Sequence, residues 1–149
     1  MIIKSIYALF ATLGFGVIFN IKGKNLIFAS IGGFITWFLY LFSLEISSSN
    51  LIALFTASVA AGLYSEVFAR ILKAPVTIFS ICSIIPLVPG GAMYYTMLES
   101  IQGNINKFLS TGLDALSSAG AIAAGILLAS SITKLILVFN SKKRISSSR

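Results

Sequence analysis

The chain has 149 residues, of which 57% are hydrophobic and only 10% are charged, against about 25% charged in ordinary soluble domains. Its formal net charge is +7, it has no histidine, and it has one cysteine, Cys82. These numbers exclude a typical water-soluble domain, an intrachain disulfide, a histidine-based catalytic triad and a His/Cys zinc site. They indicate a membrane protein with room for roughly four to six spans.

Five apolar segments follow one another and predict five transmembrane helices. They cover residues 5–20, 26–44, 51–69, 75–98 and 113–139. Segments this long must be helical in a bilayer, because every backbone donor and acceptor there needs an internal partner. The sequence therefore predicts an all-α membrane bundle over residues 1–140 and a basic cytoplasmic tail over residues 141–149.

The fourth segment is interrupted by "PLVPGG", which contains Pro86, Pro89, Gly90 and Gly91. Each proline removes a helical hydrogen bond and clashes with the preceding turn. The two glycines can adopt backbone conformations that are closed to other residues. The spacing predicts a broken fourth span with two half-helices and a non-helical joint.

A broken helix in a membrane has two interpretations, and both stay open at this point. One is a proline kink whose freed backbone groups are satisfied by neighbouring helices. The other is a transport site near the midplane of the membrane, where the amides of the second half-helix face an anionic group. Tyr94 and Tyr95 follow the glycines, and their hydroxyls could bind a polar ligand. The predicted substrate-binding set is Pro86, Pro89, Gly90, Gly91, Tyr94 and Tyr95.

The basic residues predict the orientation of the chain in the membrane. With five spans, eight of them share one side: Lys22, Lys24, Arg70, Lys73, Lys142, Lys143, Arg144 and Arg149. Only Lys4 and Lys107 lie on the other side. By the positive-inside rule, the C-terminus is cytoplasmic and the N-terminus is outside. The positive charge therefore suits lipid headgroups better than nucleic acid.

Small residues recur at four-residue spacing in two of the predicted spans. The fifth span has Ser117, Ala121, Gly125 and Ala129, and the third has Ala53, Ala57, Ala61 and Ser65. Such faces allow helices to approach closely in lipid. They indicate packing within the bundle, with surface left for a partner protein.

Glu66 and Arg70 are four residues apart near the cytoplasmic end of the third span, in the favourable order for an ion pair. One interpretation is an interfacial pair that anchors the helix end. The other is that Glu66 exchanges a coupling proton, while Arg70 tunes it or meets a substrate carboxylate.

The stretches "GLYSEVFARILKAPVTIFSICSIIPLVPGGAMYYTM" and "GFGVIFNIKGKN" resemble the small-subunit half of the threonine/serine exporter family. The resemblance implies a multi-pass subunit in the inner cell membrane that exports small hydroxylated amino acids or dicarboxylates, driven by the proton motive force. It also implies the split type of exporter, which works with a larger partner subunit and needs no cofactor.

Two other classes of function remain as alternatives. The chain could be a non-catalytic assembly subunit of a membrane complex, with a purely structural break in its fourth span. A membrane-embedded enzyme is the third possibility, but no nucleophile has a neighbouring base in the sequence. We therefore expect a protein that is not an enzyme.

Overall fold

The computed structural model describes the backbone of residues 1–146 and the side chains of residues 1–137. That part of the chain is mostly helical and contains no strand. The helices are α1 (Ile2–Ile18), α2 (Lys24–Ser47), α3 (Asn50–Ile71), α4 (Val76–Ile84), α5 (Gly90–Ile101) and α6 (Ile105–Ser146). A short 3-10 turn, Ile85–Leu87, lies between α4 and α5. The predicted all-α membrane bundle is confirmed.

Three helices of the described chain are long and apolar enough to cross a membrane: α2, α3 and the Ile105–Leu137 part of α6. The unit Val76–Leu87 and helix α5 together have the length and composition of a fourth span, but they are bent by 58° at their junction. Helix α1 is apolar but has only 17 residues. The count of five spans therefore stays a prediction.

Helix α3 is the centre of the bundle and packs on α2, α4 and α6. Its predicted small-residue face is fully buried: Ala53, Ala57, Ala61 and Ser65 are each 0% exposed. Because these side chains are small, three neighbouring helices can approach α3 closely.

The predicted small-residue face of α6 is only half correct. Gly125 and Ala129 are buried against α3, at Ser58 and Gly62 respectively, whereas Ser117 is exposed. The reason is helical geometry: each four-residue step advances about 40° around the axis, so a strict four-residue row drifts off the contact. The row that is buried on α6 alternates steps of three and four, and consists of Ala115, Ser118, Ile122, Gly125 and Ala129.

Helices α3 and α6 run parallel, because Ser58 lies against Gly125 and Gly62 against Ala129. Counting eight residues back along both helices from the Ser58–Gly125 contact places Asn50, the start of α3, at the same height as Ser117. The first twelve residues of α6 (105–116) therefore extend about 18 Å past the N-terminal end of α3.

Helix α5 packs against this extension of α6 as a helical hairpin. The hydroxyl of Thr96 donates to that of Thr111 across the hairpin, at 3.1 Å. The sequence predicted a long polar link over residues 99–112, but only residues 102–104 connect the two helices. The prediction was wrong because these polar residues cover a helix surface rather than forming a loop.

Within the described residues, the backbone has no break between the predicted domain, residues 1–140, and the predicted basic tail that begins at residue 141. Helix α6 continues through Ser146, so residues 141–146 of the basic tail extend the last helix, and the remaining three lie outside the described part. Pro75, where the predicted fourth segment begins, is the residue just before helix α4, with an extended ψ of 138°.

Candidate functional site

The helical path is interrupted where the two prolines predict it. Helix α4 ends at Ile84, Pro86 lies inside the 3-10 turn, and Pro89 immediately precedes α5. Local hydrogen bonds replace part of the α-helical bonding that is lost at the prolines. The amide of Val88 donates to the carbonyl of Ile85 at 3.2 Å, and the amide of Gly90 donates to the carbonyl of Val88 at 2.7 Å. Regular α-helical bonding resumes from the amide of Met93 to the carbonyl of Pro89, at 3.0 Å.

Gly90 and Gly91 form the first turn of α5, where backbone amides have no carbonyl in the preceding turn of the same helix. Neither residue has a positive φ, so the expectation that they use conformations closed to other residues is wrong. Their small size matters in another way. A Cβ atom added at either position would meet nothing within 4 Å, so the approach to the positive end of the α5 dipole is open.

Tyr94 and Tyr95 are more than half exposed and pack edge to face, with ring centroids 5.5 Å apart. The contact between Thr96 and Thr111 places both rings about one helical turn beyond the N-terminal end of α3. Tyrosine is enriched near the ends of membrane spans as an interfacial anchor. The two tyrosines lie on α5 further from the break than Gly91.

The break lies off the middle of the bundle. Leu87, the last residue of the 3-10 turn, is buried with Leu54, Ala57 and Ile122. On α3, which covers Asn50–Ile71, these contacts fall between the N-terminal end and the middle of the helix. The predicted site is therefore closer to the N-terminal end of α3 than a strictly central site would be.

Glu66 and Arg70 form the predicted ion pair, with 2.7 Å between the carboxylate oxygen Oε2 of Glu66 and the guanidinium nitrogen Nη1 of Arg70. The same nitrogen donates to the carbonyl of Glu66. The Glu66 side chain is 13% exposed and that of Arg70 is 42% exposed. Glu66 lies nine to twelve residues along α3 from the contacts of the break at Leu54 and Ala57, or about 14–18 Å. The structure does not bring the pair and the break into one site.

A groove of about 360 Å³ lies between α1, α2 and the 3-10 turn. Its lining residues are Lys4, Tyr7, Ala8, Ala11, Trp37 and Pro86. The sequence suggested only a topological role for Lys4, because the packing of α1 on α2 cannot be seen from residue order. The structure adds a cation and two aromatic side chains to the surroundings of Pro86.

Two functional candidates carried no signal in the sequence. The hydroxyls of Thr36 and Ser83 are buried and have no hydrogen-bond partner among the described residues. Buried polar groups are nearly always paired, so these two are unusual. Within the described chain, no three His, Cys, Asp or Glu side chains come together to hold a metal ion.

The fold defines a multi-pass helical membrane protein with one interrupted helix. The chain belongs to the threonine/serine exporter family: the family model described as "Threonine/Serine exporter, ThrE" matches residues 4–132. No curated protein and no solved structure matches it. The predicted membership of the threonine/serine exporter family is therefore confirmed, and the break and the Glu66–Arg70 pair both lie inside the matched range.

Proposed function

We propose that this chain is a subunit of a secondary exporter in the cell membrane, which moves threonine and serine, or dicarboxylates, out of the cell. The observation that carries the proposal is the family match over residues 4–132. The interrupted helix supports it, because discontinuous helices are a common way for secondary transporters to form a substrate site.

The substrate binds at the start of α5 in this proposal. Its carboxylate faces the amide of Gly91, at the positive end of the helix dipole and next to Gly90, whose own amide is bonded to the carbonyl of Val88. Pro86 and Pro89 keep this end of the helix free by preventing a continuous helix through the joint. Tyr94 or Tyr95 donates a hydrogen bond to a polar group of the substrate.

A larger partner subunit supplies the second wall of the site. On the described chain the space in front of Gly90 and Gly91 is open, and Met93, Tyr94 and Tyr95 are exposed beside it. Lipid cannot satisfy free backbone groups, so protein or a water-filled cavity must cover them. The small-residue face of α3 is occupied inside the bundle, and so are Gly125 and Ala129 of α6. We therefore infer that the partner binds on the α5 side.

The proton motive force drives export, and Glu66 carries the coupling proton. Glu66 is the only acidic residue within the central helix α3, and its side chain is mostly buried beside Arg70. Because Glu66 and the break are about 14–18 Å apart along α3, the coupling acts through movement of helices and not by direct contact with substrate. The N-terminus is outside and the C-terminus is cytoplasmic, in keeping with the distribution of basic residues.

Export of labelled threonine and serine from preloaded cells tests the proposal. A deletion strain that receives this chain on a plasmid should regain export, and a protonophore should abolish the gain. Affinity purification of the tagged chain should also recover a larger membrane protein of the same family.

The alternative is an assembly subunit without a site of its own. Pro89→Ala distinguishes the two functions, because it restores a backbone N–H and favours a continuous helix across the joint. If the chain forms the site, this variant loses export while it keeps the partner. If the variant exports normally, the chain has only an assembly role.

A further inference from the structure

The break has a buried side as well as the exposed side that carries the two glycines. On the buried side, Ser83 is the penultimate residue of α4, and Thr36 lies on the face of α2 that packs against it. The Thr36 side chain is 1% exposed and the Ser83 side chain 0%. Neither hydroxyl has a hydrogen-bond partner among the described residues.

The packing shows that these two hydroxyls belong to one interface. A Cβ atom added to Gly32 would lie 2.2 Å from Oγ of Ser83, so this hydroxyl rests directly on the α2 backbone. Thr36 is one helical turn beyond Gly32 on the same face. Helices α2 and α4 run parallel here, since Trp37 and Pro86 line one groove. Thr36 is therefore level with the 3-10 turn.

A third oxygen atom beside the break, the carbonyl oxygen of Cys82, lacks its regular helical hydrogen bond. Pro86 has no N–H, so it cannot donate to the carbonyl of Cys82, four residues earlier. Cys82 is fully buried. One freed carbonyl and two unpaired hydroxyls thus lie within about one helical turn of one another along the α2–α4 interface beside the break, and both hydroxyls are buried.

Most other buried hydroxyls of the described bundle are satisfied within their own helices. Thr12 donates to the carbonyl of Ala8 at 2.7 Å, and Ser30 to that of Leu26 at 2.9 Å. Ser65 does the same with Ala61, at 2.7 Å. Thr36 and Ser83 depart from this pattern next to the break, and an unpaired buried polar group is costly unless a ligand completes it.

We propose that Thr36 and Ser83 form the subsite that recognises the side-chain hydroxyl of the substrate. The inference rests on the proposed export of hydroxylated amino acids and assigns their specificity to the α2–α4 interface. A substrate hydroxyl both donates and accepts one hydrogen bond, which matches two protein hydroxyls and a freed carbonyl. Because Gly91 lies on the exposed side of the break, the substrate contacts Thr36 and Ser83 at a different step from the Gly91 amide, when α4 moves relative to α2 and opens the interface towards the groove at Trp37 and Pro86.

Specificity of this kind has a measurable consequence. A site that hydrogen-bonds a substrate hydroxyl rejects an analogue that lacks it, because the protein groups are then left unpaired. We expect wild-type protein to export threonine at least roughly tenfold faster than 2-aminobutyrate, which has the same carbon skeleton without the hydroxyl.

The experiment measures export of both compounds from loaded cells that carry Thr36→Val or Ser83→Ala in the full chain. Threonine export should fall roughly fivefold or more, while 2-aminobutyrate export changes by less than about twofold. Thr36→Ser, which keeps the hydroxyl, should retain the preference. The variants should accumulate and melt like wild type, since removal of an unpaired buried hydroxyl does not destabilise a fold.

Thr12→Val and Ser30→Ala are the matched controls, because they remove buried hydroxyls that are already satisfied. Both should keep the wild-type preference. The inference is overturned if Thr36→Val and Ser83→Ala keep the preference as well, or if the controls lose it equally. Those results leave the proposed function standing, whereas a wild-type chain that exports neither threonine nor serine would remove the proposed function itself.

Discussion

Gly125→Leu tests the closest helix contact of the bundle. A Cβ atom at Gly125 would lie 2.0 Å from Oγ of Ser58 and 2.8 Å from the carbonyl oxygen of Phe55. The serine hydroxyl can rotate, but the carbonyl belongs to the backbone of α3, so α6 must move away. Leucine adds three more carbon atoms to that clash. Overpacking of this kind typically costs about 1–3 kcal/mol, and we expect at least about 2 kcal/mol for this variant.

The assay is unfolding of the purified protein in mixed micelles, followed by far-ultraviolet circular dichroism. Gly120→Leu is the matched control, because it lies on the same helix and a Cβ atom there meets nothing within 4 Å. It should change the free energy of unfolding by less than about 0.5 kcal/mol. Equal stability of both variants and the wild type would refute the packing of α6 on α3.

Two further predictions concern coupling and orientation. Glu66→Gln keeps the size of the side chain and removes its charge, so export should continue without dependence on the proton gradient; unchanged pH dependence would place the coupling group elsewhere. In a cysteine-free background, Ser48→Cys should react with an impermeant thiol reagent in intact cells, and Ser146→Cys only after the cells are opened. Labelling of the second variant from outside would reverse the predicted orientation.

Hydropathy predicted the two central helices well. The segments 26–44 and 51–69 correspond to α2 (Lys24–Ser47) and α3 (Asn50–Ile71), because their apolar runs end at short polar links. The hairpin of α5 and α6 was missed for the opposite reason. Its polar residues look like a loop in the sequence, but they lie on helices that extend beyond α3.

The position of the interruption could be predicted, because proline chemistry is local. The surroundings of the interruption could not. The partners of a side chain depend on which helices pack together, and residue order does not show that Ser83 rests on Gly32. For the same reason the sequence predicted small-residue packing within the bundle but not which small residues take part: Gly125 is buried against α3, whereas Ser117 is exposed. The roles of Gly91 and Glu66 stay predictions.

The most direct test of the account is export of preloaded, labelled threonine from cells that depend on this chain for it. Gly91→Leu fills the open approach to α5 without touching its neighbours, since a Cβ atom there meets nothing within 4 Å. We predict that this variant accumulates normally and keeps its partner but exports no threonine, while Val88→Leu, at a half-exposed position beside it, exports nearly as wild type. Export by Gly91→Leu at the wild-type rate would contradict the claim that substrate binds at the break.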